Sequence, residues 1–324
     1  MSSEVVCIGS AIVDVLVRVD DAFITGAGLT KGTMALVDAD EAKRLYAALS
    51  DAVEQSGGGS ANTAAIVAKL GGGVTFIGRV ADDALGASFT HDIRRVGVTF
   101  NPPPATELPS TAHCTILVSP DGERTMNTYL GACSQLAPAD LDRDAIAAAS
   151  VLYTEGFLWD APSCRDASLA AIEVAKANGT QVALALNDQY CVDRHRDEFL
   201  ALLDGTVDIV FGNENEVCAV FETDDLEDAG RRLGELCPLV ATTRSEKGSV
   251  LYVKGERIAV RGVPVATVVD TTGAGDAFAG GFLYGITHGY DPAAAASLGS
   301  ACASETIQHI GARPAADLTT LLSS

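Results

Sequence analysis

Much that a chain of this size could carry is missing. Eight cysteines are present, at positions 7, 114, 133, 164, 191, 218, 237 and 302, yet none forms a C-x-x-C pair. That removes the usual spacing of a structural zinc site or a dithiol redox pair. Several lie in apolar runs such as Val5–Ile8 and Ser300–Ala303. They are expected to be reduced, mostly buried thiols of a cytoplasmic protein, with no disulfide framework. No window stays apolar and uncharged for the ~20 residues that a membrane span needs. Met1–Glu4 passes straight into a strand-like run without the basic start of a secretory leader. Basic residues are scarce as well: 22 Lys and Arg face 43 Asp and Glu, for a net charge of −21. No basic cluster offsets this charge, which argues against nucleic acid or an anionic membrane surface as a partner.

What is present is the balance of a globular enzyme. Of the 324 residues, 48% are apolar and 20% charged, enough to bury a substantial core without a disordered segment. Short apolar runs recur at Val5–Gly9, Val74–Val80, Val151–Glu155, Val182–Leu186, Asp208–Phe211, Leu239–Thr243 and Val250–Val253. Continuous apolar runs of this length are strands covered on both faces. Helical patterns lie between most of them, at Asn62–Leu70, Asp83–Val96, Cys164–Asn178 and Leu226–Leu236. Such alternation predicts a three-layer α/β/α fold with a mainly parallel central sheet. Two stretches, 13–38 and 98–130, instead alternate apolar and polar residues, with turn signals at Pro102–Pro104 and Asp121–Gly122. They are expected to form a small discontinuous β-sheet lid on one domain spanning residues 1–324. Near the C-terminus, Gly273–Gly275 should open a helix ending near His288–Gly289, and Asp291–Pro292 should cap another running to about His309.

The segment Asp270–Phe278, D-T-T-G-A-G-D-A-F, carries the chemistry. Glycines after an extended run, at a helix start, can turn successive N–H groups outward and make an anion hole. Asp276 would then stand beside a bound anion and be repelled unless it has a task. Accepting a proton from a hydroxyl that attacks phosphorus is such a task; capping the helix is the bland alternative. At a helix N-terminus the ionised carboxylate should be stabilised, which would make Asp276 a weak base.

This segment resembles the C-terminal signature of the ribokinase-like (PfkB-type) carbohydrate and nucleoside kinases, and further motifs follow in family order. Gly57-Gly58-Gly59-Ser60-Ala61-Asn62 is similar to the N-terminal G-G motif, and Gly78–Gly86 to the stretch after it. Asn213–Glu216 fits N-x-x-E; Thr243–Gly248 resembles T-x-G-x-x-G, with Ser245 in place of a glycine. The resemblance implies ATP and Mg²⁺ as cofactors and Asp276 as catalytic base. It implies an anion hole from the N–H groups of Gly273, Ala274 and Gly275, and a nucleotide site that includes Asn213, Thr243, Ser245 and Gly248. Glu216 and Asn213 would hold Mg²⁺ through water, or simply start a helix. Asp270 and Thr272 would bind K⁺, as in potassium-dependent members, or only cap the turn.

The acceptor side implied by the resemblance comprises Asp14, Gly57, Gly58 and Asn62, a set suited to sugar hydroxyls. Within the family the resemblance is to adenosine kinases, through Gly122–Asn127, Leu130–Ala132 and the aromatics Phe157 and Tyr190. It implies a purine nucleoside as acceptor and a role in purine salvage, with a sugar such as ribose or fructose as the alternative. Trp159 is a pocket wall or core. A dinucleotide-binding oxidoreductase fits poorly, because the first strand leads into Gly9-Ser10-Ala11-Ile12 without a G-x-G-x-x-G. A P-loop is excluded by the order of Lys31 and Gly32. A non-catalytic nucleotide- or sugar-binding regulator is the remaining alternative. Lid strands in the family can pair between subunits, so a monomer or a homodimer is expected.

Overall fold

A computed structural model describes residues 4–102 and 109–323. Among the described residues thirteen strands form two sheets: β1 (Val5–Ile8), β2 (Ile12–Arg18), β3 (Met34–Leu36), β4 (Val53–Gly57), β5 (Val74–Ile77), β6 (Ala112–Val118), β7 (Arg124–Tyr129), β8 (Val151–Glu155), β9 (Gln181–Ala185), β10 (Ile209–Asn213), β11 (Leu239–Thr243), β12 (Ser249–Val253) and β13 (Glu256–Val260). The large sheet has the order β13-β12-β11-β10-β9-β8-β1-β5. Its pairs are parallel from β5 to β11, and β12 and β13 close one edge antiparallel.

The apolar runs explain this sheet. Successive side chains point to opposite faces, and two separate cores result. Val6, Ile8, Leu152, Val182, Leu184 and Val210 enter one; Val5, Cys7, Val151, Tyr153, Ala183, Ile209 and Phe211 enter the other. Helices cover both faces, so the central strands are buried twice and need no polar side, whereas the edge strand β13 is largely exposed. Trp159 is 3% exposed and packs edge-on against Phe199; it is core.

The second sheet runs β3-β7-β6-β2-β4 with mixed pairing. It includes Val53–Gly57, which lies outside the expected lid segments. Val98–Phe100, expected in the lid, sits instead on the large sheet's edge: Phe76 N–H donates to the Thr99 carbonyl at 2.9 Å and Thr99 N–H to that of Val74 at 3.0 Å. Of the turn signal at 102–104, Pro103 and Pro104 lie outside the described residues. Among the described residues no helix is long and apolar enough to cross a membrane.

The C-terminal helices start where their signals stand. Gly273, with φ +75°, caps the helix Ala274–Thr287. Asp291 accepts from Ala294 N–H at 2.8 Å ahead of Pro292, the first residue of the helix Pro292–Thr306.

Candidate active site

The C-terminal ends of the parallel strands gather the chemically active side chains, as an open α/β sheet favours. A cavity of about 890 Å³ opens there, lined by Asn187, Asn213, Glu216, Thr243, Ser245, Gly248, Gly275 and Asp276. Val263, Val268, Ala303 and Ile307 give it an apolar wall. Ser245 holds φ +50°, the left-handed conformation that a glycine at this motif position would adopt freely. Gly248 has φ +86°, and a Cβ there would come within 2.2 Å of the Val260 carbonyl.

At the helix start, Ala274 N–H is used within the turn, donating to the Thr271 carbonyl at 3.2 Å. A Cβ on Gly273 would strike Ala312, whereas one on Gly275 would meet nothing within 4 Å. The bare backbone of Gly275 therefore faces open space, a cradle for an anion.

Asp276 does not have the stabilised anion expected of a helix N-terminus. Its carboxyl is pushed up to about 7, first by burial and then by the carboxylates of Glu155, Asp14 and Glu216, while the hydrogen bond from Asn62 pulls it down. Desolvation and like charge outweigh the helix dipole, whose effect is worth at most ~2 kcal/mol. Asp276 is a stronger base than its position in the helix implied. Asn62 Nδ2 donates to Asp276 Oδ2 at 3.1 Å, so this amide contacts the carboxylate directly.

On the neighbouring side, Asp14 projects from β2. A Cβ on Gly57 would fall 2.3 Å from Asp14 Oδ2, and one on Gly58, at φ +97°, 2.1 Å from the Ser10 carbonyl. Both glycines are steric requirements. Burial pushes Asp14 up to about 6, with Arg313 and Arg124 pulling the other way. Phe157 and Tyr190 are 42% and 71% exposed, on the segments that follow Glu155 and Asn187.

Asn213 and Glu216 form a reciprocal capping box on the helix Glu214–Val220: Glu216 N–H donates to Asn213 Oδ1 at 3.0 Å, and Asn213 N–H to Glu216 Oε2 at 2.9 Å. Glu216 nevertheless lines the cavity and is pushed up to about 7, by burial and by Asp188. Hard oxygen donors in a region crowded with carboxylates fit a water-shelled Mg²⁺, which would relieve that repulsion.

Asp270 and Thr272 do not fit K⁺. Arg124, from β7, forms an ion pair with Asp270 and donates from Nη1 to Thr272 Oγ1 at 2.9 Å. Asp270 Oδ2 also accepts from Gly311 N–H at 2.7 Å, and Oδ1 from Thr272 N–H at 3.0 Å. The positive charge expected from a monovalent ion is already supplied by a guanidinium. A second group of metal-donor atoms, Asp160, Cys191 and His195, is closed in the same way. Arg194 takes both Asp160 oxygens, at 3.0 and 2.7 Å, and His195 Nε2 lies 2.8 Å from Oδ1.

Four residues at this site escape sequence reasoning. Glu155 is fully buried and accepts from the N–H groups of Ser10 and Ser60, each at 2.8 Å. An acid ending a short, mainly apolar run read as a buried parallel strand is a signal that could have found it. Asn187 holds φ +65° and accepts from Gly156 N–H at 2.7 Å; strain of this kind clusters at functional sites but leaves no mark in sequence. Arg124 and Arg313 reach the site over long chain separations.

The family model described as pfkB family carbohydrate kinase matches residues 2–318. The crystal structure of adenosine kinase from Sinorhizobium meliloti is 47% identical, with a TM-score of 0.91 over 100% of this chain and 99% of that one. A probable sugar kinase from Rhizobium etli CFN 42 is 45% identical with a TM-score of 0.91, covering 100% and 98%. Among curated proteins, a 5-dehydro-2-deoxygluconokinase from Shouchella clausii is 32% identical over 270 residues, 76% of this chain and 79% of the relative.

Proposed function

The chain belongs to the pfkB family of carbohydrate kinases and is an ATP-dependent kinase, and from that premise we propose that it phosphorylates the 5′-hydroxyl of adenosine or a related purine nucleoside. The observation that carries this choice of acceptor is the sheet face bearing Asp14. By strand register, Val53, Leu16, Ile116, Met126 and Met34 form one row across that face, and Gln55, Asp14, Cys114, Thr128 and Leu36 the next. Met34 and Leu36 are 63% and 65% exposed. The centre of the rows, at Ile116 and Cys114, is already buried, but a bare sugar would leave the Met34 and Leu36 side chains at the edge against water; a purine ring would cover them. The exposed rings of Phe157 and Tyr190 favour the same acceptor, as does the likeness to a bacterial adenosine kinase.

On this reading, Asp14 accepts hydrogen bonds from the ribose hydroxyls, Gly57 and Gly58 let the sugar approach the backbone, and Asn62 keeps Asp276 in register. The 5′-oxygen attacks the γ-phosphorus, its proton passes to Asp276, and the bond to the bridging oxygen breaks to release ADP. The N–H groups of Gly273 and Gly275 hold the phosphoryl oxygens, with Ala274 contributing through the helix terminus it begins. Thr243, Ser245 and Gly248 contact the nucleotide. Mg²⁺, held through water by Glu216 and Asn213, would neutralise phosphate charge. Because phosphoryl transfer asks mainly for positioning and charge stabilisation, this rigid set suffices. The same reading makes the chain one kinase domain whose second sheet is the lid. The unpaired cysteines, all but Cys218 buried, suit a cytoplasmic enzyme.

A sugar acceptor is the second reading, favoured by the curated relatives named 5-dehydro-2-deoxygluconokinase. The test is ADP release from ATP–Mg²⁺ with adenosine, inosine, guanosine, ribose, fructose and 5-dehydro-2-deoxygluconate offered singly. Adenosine is expected to give the highest kcat/KM. Release with sugars alone would replace the nucleoside reading.

A further inference from the structure

Arg313 belongs to none of the motifs above, yet it lies behind the reacting groups. The segment that carries it is knitted into the site: Gly311 N–H binds Asp270, Ala312 backs Gly273, and the Pro314 carbonyl accepts from Lys69 Nζ at 2.5 Å. Arg313 itself is 6% exposed. Its Nε donates to Asn62 Oδ1 at 3.3 Å, and Nη1 lies 3.6 Å from Asp92 Oδ2. Neither Nη1 nor Nη2 makes a hydrogen bond, so the contact to Asn62 is the directional one.

That contact decides which way the Asn62 amide points. A guanidinium can only donate and a carboxylate only accept, whereas an amide has one end of each kind. With Arg313 on one side and Asp276 on the other, a single orientation satisfies both: Oδ1 toward Arg313, Nδ2 toward Asp276 Oδ2 at 3.1 Å. A flipped amide would set donor against donor and oxygen against oxygen. The two oxygens of Asp276 thereby become inequivalent. Oδ2 is tied to Asn62, while Oδ1 looks past Gly59, whose missing Cβ would stand 3.4 Å away.

We propose that Arg313 is a positioning residue for phosphoryl transfer, acting through Asn62 to hold Asp276 with Oδ1 presented to the acceptor hydroxyl. The proposal rests on the reading of Asp276 as the base. The charged and titratable groups facing Asp276 are Glu155, Asp14, Glu216 and Tyr153 from their several elements, together with Arg313. Those facing Arg313 are Asp92, Asp14, Arg95, Asp276 and Lys69. Most neighbours of Asp276 are acidic, so losing the arginine and its amide relay must make Asp276 harder to ionise.

The test is a kinetic cycle of Arg313→Met, Asn62→Ala and the double variant, on whichever acceptor the wild type accepts, with Asp276→Asn as control. Arg313→Met should lower kcat about tenfold or more at pH 7 and leave KM for ATP within about twofold. The acidic limb of its pH profile should move up by about half a unit or more. The double variant should be no slower than Asn62→Ala alone, because residues acting in one relay are not additive. Arg313→Lys, which keeps the charge, should return the limb toward wild type, and it serves as the test if the methionine variant does not fold. An unmoved limb, or losses that add, would overturn the proposal. An active Asp276→Asn would instead overturn the reading beneath it.

Discussion

Asp276 keeps one amide partner amid carboxylates from three other elements, and its behaviour with pH follows from that imbalance. A carboxyl raised from 3.8 to about 7 costs the folded protein nothing below pH 3.8, where both states are protonated. The cost grows between pH 3.8 and 7 and is fully present above 7, so this group makes the fold less stable as pH rises. Replacing it with asparagine removes the cost and keeps an acceptor for Asn62. Asp276→Asn should therefore be more stable than wild type by roughly 2–4 kcal/mol at pH 8 and equal to it near pH 4, measured by urea unfolding at both values. The same variant should lose about three orders of magnitude or more in kcat while still binding ATP. In the wild type, kcat/KM should fall below an acidic limb near pH 7, where the base becomes protonated. Equal stability of the two proteins at pH 8 would show that burial does not govern this carboxyl.

Between elements, the decisive contact is the one from β7 to the anion loop. Arg124 is 13% exposed at its side chain, and its partner Asp270 5%, so the pair ties the second sheet to the anion loop where water is scarce. Removing one partner of such a pair strands the other; with two N–H donors left on Asp270, Arg124→Met should cost about 2–4 kcal/mol in unfolding free energy. With the guanidinium in the cation's position, exchanging K⁺ for choline at fixed ionic strength should change wild-type kcat less than about twofold. A tenfold dependence on K⁺ would mean that the guanidinium leaves its place in the working enzyme.

This pair also marks how far the sequence is legible. Seven of the eight strands of the large sheet read directly, because full burial writes continuous apolar runs and capping residues write helix starts; the edge strand β13, largely exposed, leaves no such run and did not. The motif segments read directly too, since glycine is forced at Gly58, Gly248 and Gly273 by φ or by close backbone contact. Partners joined over long separations did not read. Arg124 stands 148 residues from Thr272 and Arg313 251 from Asn62, and no local pattern joins them. The basicity of Asp276 was misread for the same reason: the helix terminus is local, and the surrounding carboxylates are not.

Across the whole molecule, the net charge of −21 and the crowded carboxylates make the site hostile to polyanions, except at the helix start. The second sheet supplies what charge cannot, a face that carries exposed apolar side chains beside the Asp14 carboxylate. If a purine is held between that face and the strand ends, its binding energy comes from area, at about 25 cal/mol per Å². Met34→Ser with Leu36→Ser removes apolar area from two side chains that are already exposed, so unfolding free energy should change by less than about 1 kcal/mol. KM for adenosine should rise about tenfold, as a loss near 1.4 kcal/mol requires, while kcat holds within about threefold because the reacting groups are untouched. A bare sugar gains nothing from that face, and its KM should not move. An unchanged KM for adenosine would detach the apolar face from the acceptor and remove the main support for a nucleoside.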